Sequence, residues 1–191
     1  MSVYSRSLNK IQISCQFTDR EIARMDYTLR VVFYDLSKLL FFTIFYLFLG
    51  KFQEYIVCLL ALLPLRWLSG GMHLKSFWTC FLFSFCFFNL IILGLASCSL
   101  PLYWEIALLI LCNFFLYGIG PVTSAKRKVM KKKQYDCMRM FSSAILLLYT
   151  ILYFVLENVP HRTIVFWSII LQIIQLFCAR MARKGDIYEK T

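Results

Sequence analysis

Long apolar stretches recur along the chain, separated by short polar breaks. Residues 31–50, 52–68, 77–97, 102–122, 140–156 and 163–179 each form a run of mostly apolar residues. Their lengths, about 17–21 residues, suit helices that cross the hydrocarbon core of a bilayer. None of them alternates apolar and polar residues at period two, which argues against a β-barrel. The pattern predicts an all-α, polytopic helical membrane protein with about six transmembrane helices. The first two runs are interrupted by Asp35, Lys38, Lys51 and Glu54, and Gly50-Lys51 leaves almost no loop between them. Four spans plus a re-entrant hairpin therefore fits the same pattern, with six the preferred count.

A different rhythm precedes the first run. Ile22, Met25, Leu29, Val32, Phe33 and Leu36 recur at helical spacing, with Arg20, Arg24, Asp26 and Arg30 elsewhere on the surface. This predicts an N-terminal amphipathic helix on the membrane surface, with 1–30 as a cytoplasmic segment. Thr18 and Glu21 have the spacing of a capping box, and Phe17 and Ile22 that of a hydrophobic staple.

Composition strengthens the membrane reading: 60% of the 191 residues are hydrophobic and 16% are charged. Soluble domains average about 45–50% apolar and about 25% charged. One membrane-embedded domain spanning 1–191 is expected. The net charge of +11 suggests nucleic acid in a soluble protein, but the base-reading motifs of such binders are absent. Placed on the six spans with the N-terminus inside, the charges sort by side. Of the 21 lysines and arginines, only Lys51 and Arg162 fall outside. That asymmetry places both termini, the basic loop 123–139 and the tail 180–191 in the cytoplasm. The loop is expected to lie near anionic lipid, and an acidic peptide is a second partner for it.

Eight cysteines do not make a disulfide scaffold, because Cys58, Cys86, Cys112 and Cys178 lie inside apolar runs. No C-x-x-C pair or Cys/His cluster has zinc spacing, so neither a metal nor another cofactor is expected. The first apolar run starts too late for a cleavable leader, and no small-residue cleavage site follows it.

Chemistry concentrates in the break between the second and third runs, Arg66-Trp67-Leu68-Ser69-Gly70-Gly71-Met72-His73-Leu74-Lys75-Ser76-Phe77-Trp78-Thr79-Cys80. Ionisable residues kept beside a bilayer mark function by default. Ser76 suits the N-cap of the third span, which places Cys80 in its first turn. Unpaired backbone N–H groups and the helix dipole there favour an anion, the reactive form of a thiol. Lys75, and Arg66 if it reaches the same turn, add positive charge. The same N–H groups suit an oxyanion. His73 is the candidate base. In one continuous helix it would stand about 10.5 Å from Cys80 along the axis, too far for a hydrogen bond. The chain must therefore turn between them, and Gly70-Gly71 supplies a permissive backbone. Alone, a histidine seven residues from one of eight cysteines is more often incidental than catalytic.

The whole run, R-x-x-x-G-G-x-H-x-K-x-x-x-x-C at the end of a span, resembles the accessory gene regulator B (AgrB) family of quorum-sensing peptidases. Length, number of spans and the basic loop after Gly120-Pro121-Val122 extend the resemblance over nearly the whole chain. It implies a bacterial cell-membrane cysteine endopeptidase that processes a small precursor peptide into a cyclic thiolactone or lactone signal. Cys80 would be the nucleophile and His73 its base, with Arg66, Gly70, Gly71, Lys75 and Ser76 in support. The partners expected are the precursor peptide, the lipid bilayer and a second copy of the chain, with no nucleic acid. Asp35 and Glu54 are the acidic candidates for a third catalytic group. The competing readings are a small transporter or exporter, with Asn89, Gln172 and Gln175 lining a path, and a non-catalytic scaffold.

Overall fold

The computed structural model describes residues 18–71, 76–122, 131–155 and 161–182. His73, Lys75, the Phe17 partner of the expected staple, residues 123–130 of the basic loop and the tail from 183 lie outside the described residues. The chain divides into two compact units, Met1–Phe48 and Leu49–Thr191.

The described residues of the first unit form one helix, α1, Asp19–Phe48. Its start carries half of the expected capping box: the Glu21 carboxylate accepts the Thr18 N–H at 2.9 Å. The Thr18 hydroxyl donates to the same carboxylate at 2.8 Å instead of accepting a backbone N–H. The surface helix and the first span, expected as separate elements, are a single 30-residue helix. No glycine or proline falls between 19 and 48 to stop it, and helix geometry then propagates through the change from amphipathic to apolar. Within it Asp35 pairs with Lys38 at 2.9 Å.

The described residues of the second unit form a bundle of five helices: α2 Phe52–Ser69, α3 Phe77–Asn89, α4 Leu102–Ile119, α5 Lys132–Val155 and α6 Arg162–Ala182. α3 continues as a π-helical segment, Leu90–Leu95, where the Asn89 amide turns back to the Phe85 carbonyl at 2.8 Å. All described elements are helical apart from one isolated bridge. Six described helices, counting α3 with its π segment as one, are long and apolar enough to cross a membrane. By length and composition α1, with 30 residues, and α2, with 18, both suit spans, in line with the preferred count of six.

α6 is the hub. It packs against α2, α4 and the π segment, while α5 packs against α2 and α4. Leu65, Leu109, Leu116, Leu146, Ile169 and Leu176 form the heart of the core. Outward-facing Leu60, Trp104, Phe114 and Phe154 are exposed, as expected where the surrounding solvent is lipid. Two polar clusters mark the ends of the bundle. At one end the buried Glu105 accepts from Tyr153 Oη at 2.6 Å, from Arg162 at 3.0 Å and from the Leu100 N–H at 3.3 Å. The other end carries the site.

Two boundaries differ from the hydrophobic pattern. α4 stops at Ile119 rather than 122 because Gly120 takes φ +67°, and its N–H caps the Leu116 carbonyl at 2.9 Å. A Cβ at Gly120 would run into the Tyr135 hydroxyl. α5 starts at Lys132, eight residues before its apolar run begins at Met140. The second half of the basic loop is thus helical, with Arg139 over the Tyr117 ring at 4.5 Å.

Candidate active site

The site run leaves α2 through a defined exit. Gly70 takes φ +80° and ψ −158°, a region only glycine enters readily. Its N–H closes the last turn on the Arg66 carbonyl at 3.0 Å, and the Val122 N–H donates to Ser69 O at 2.8 Å. Gly70 and Val122 form an isolated parallel bridge. A Cβ on Gly70 would collide with the Val122 carbonyl, whereas one on Gly71 would meet only the Gln175 amide at 3.6 Å. The segment entering the site run and the one entering the basic loop therefore lie side by side.

Arg66, in the last turn of α2, reaches across to α6. Its Nε donates to Gln172 Oε1 at 3.1 Å and one terminal nitrogen to Gln175 Oε1 at 2.8 Å. Gln172 Nε2 donates in turn to the Gly70 carbonyl at 3.2 Å. The guanidinium also lies over the Phe87 ring, 5.2 Å from its centroid. Phe87 follows Cys80 by seven residues on the same face of α3, a rise of about 10 Å. The described hydrogen bonds of Arg66 thus go to α6.

Ser76 stands where expected, just before α3, with extended backbone (φ −104°, ψ 146°). Its side chain makes no capping hydrogen bond. Its carbonyl instead receives the Cys80 N–H at 3.1 Å and the Thr79 hydroxyl at 3.0 Å. Cys80 is half-buried in the first turn. Since its own N–H is spent on the helix, the donors that suit an oxyanion narrow to the N–H groups of Phe77, Trp78 and Thr79, which have no partner within an α-helix.

The structure therefore gathers Arg66, Gly70 and Gly71 at the end of α2 and sets Ser76 and Cys80 at the head of α3. Glu54 lies in the first turn of α2, paired with Lys51 at 2.8 Å, about 24 Å along the helix from Gly70. That distance removes it as a third catalytic group. Gln172 and Gln175 were the residues sequence reasoning placed elsewhere. Their i, i+3 spacing in an apolar helix was the available signal of a shared polar face.

The described elements define a multi-pass helical membrane protein with a polar clasp at one end of its bundle. The family model of Accessory gene regulator B matches residues 5–176, and the chain belongs to that family. A Clostridium beijerinckii protein, named only as AgrB-like, is 27% identical over 176 residues, covering 92% of this chain and 85% of its own length. No solved structure matches the chain.

Proposed function

We propose that the protein is a membrane cysteine endopeptidase that cuts a small precursor peptide and closes its product into a ring. The observation that carries this is the run from Arg66 to Cys80, set between two membrane-length helices in a chain of the AgrB family. In this reading Cys80 attacks the scissile carbonyl as thiolate, forming a C–S bond. The C–N bond then breaks, and the leaving amine takes a proton from the His73 imidazolium. N–H groups of the first turn of α3 stabilise the oxyanion between these steps. A thiol or hydroxyl of the bound peptide next attacks the thioester, gives its proton to His73, and releases Cys80 as thiolate. Exchange of one thioester for another conserves its energy, so closure needs no further source while water is kept away.

The reading supplies a direct test. A candidate precursor peptide is co-expressed with its internal nucleophile replaced by alanine. The expected result is a covalent adduct, cleaved by hydroxylamine, or slow hydrolysis to a linear product. Cys80→Ala is expected to abolish both; continued cleavage by Cys80→Ala would sink the peptidase. The transport reading rests on Asn89, Gln172 and Gln175. Two of these hold Arg66 and the third bonds its own helix, so their polarity is explained within the fold.

A further inference from the structure

Gln172 and Gln175 sit one turn apart within an otherwise apolar part of α6, and both are buried, Gln172 completely. Their hydrogen bonds are specific in sense. Arg66 only donates and a backbone carbonyl only accepts, so just one orientation of the Gln172 amide satisfies both Arg66 and the Gly70 carbonyl. Its oxygen faces the guanidinium and its nitrogen faces Gly70. A carboxylate at 172 would hold the arginine but could not reach the carbonyl as a donor.

We infer that Gln172 and Gln175 are positioning residues of the peptidase site, fixing Arg66 and the Gly70 carbonyl so that the run toward Cys80 leaves α2 in a single direction. The inference rests on the peptidase reading above. Their hydrogen bonds tie α6 to the last turn of α2 and to the Gly70 carbonyl, contacts that apolar residues of the same length would not make. What they add is direction at the exit of α2.

The test uses the purified protein with Cys80 as its only cysteine, and the rate of alkylation by iodoacetamide at neutral pH, per folded molecule. Gln172→Met and Gln175→Met keep length and suit an apolar helix but cannot hydrogen-bond. Each is expected to slow alkylation by at least about fivefold, toward the rate of His73→Ala, since a small misplacement of a reacting group is costly. Gln175→Glu keeps the acceptor for Arg66 and is expected to stay within about twofold of the parent. Gln172→Glu, which keeps the acceptor but loses the donor to Gly70, is expected to fall between. A purely structural role would lower the folded fraction, or loosen the site and speed alkylation. Parent-like or faster rates in both methionine variants, with His73→Ala still slow, overturn the positioning role and leave the peptidase standing. If His73→Ala is not slow either, the Cys–His pairing fails, and the positioning role with it.

Discussion

Gly70 shows how much a single position decides. Its backbone lies where a side chain is strained, and the space a Cβ would take belongs to the Val122 carbonyl. Gly70→Ala must therefore break the Gly70–Val122 pairing or deform the end of α2. Thermal unfolding in detergent is expected to show a loss of about 2 kcal/mol or more, from backbone strain alone before the collision is counted. Gly71→Ala meets only an ordinary contact, and on fold stability its cost is expected to stay below about 1 kcal/mol. Equal losses would refute this account of the pair. In the sequence the two glycines looked equivalent, a permissive pair before a histidine. What separates them is a carbonyl from a segment about fifty residues further on, which no local pattern records. The same holds for Arg66: its cation was legible, but its partners lie 106 and 109 residues away.

Among the elements, the existence of the apolar helices was legible because each run is close to membrane length and mostly apolar. Their ends were not, for particular reasons. Lys132 and Lys133 read as loop by charge, yet they are good helix formers and extend α5 beyond the bilayer-length run. Val122 reads as span by hydropathy, yet the Gly120 cap turns it out toward Ser69. Glu105 is an acid within an apolar run of the sequence. It proves to join α4 to Tyr153 of α5 and Arg162 of α6. Removing one partner of a buried pair strands the other, so Glu105→Ala is expected to destabilise the bundle by about 3–5 kcal/mol. Adding Arg162→Met to that variant is expected to recover part of the loss, since no charge is then left without its partner. Unfolding midpoints of the single and double variants decide it: no recovery means that the cluster contributes packing and not charge pairing.

For the whole molecule, the distribution of cations carries a topology that the helices alone do not. With the N-terminus inside, only Lys51 and Arg162 of the 21 cations would lie outside, and the positive-inside bias then predicts Lys131 in the cytoplasm and the turn at Ser99 outside. In a cysteine-free background, Ser99→Cys is expected to react with an impermeant thiol reagent on intact cells, and Lys131→Cys only after permeabilisation. The reverse labelling would turn the site to the outer face.

The lengths of α2 and α4 give the bilayer itself a hold on this site. Each has 18 residues and so rises about 27 Å, a little less than the thickness of a typical hydrocarbon layer, about 30 Å. It is the C-terminal ends of these two short helices that are pinned together at Gly70 and Val122. Longer acyl chains must thin around them or pull on the backbone just beyond, and that backbone is the exit toward Cys80. Hydrophobic mismatch thus falls on the site end of the bundle. The acyl-chain length of the host membrane then acts as a setting on the proposed site, separate from any residue within it.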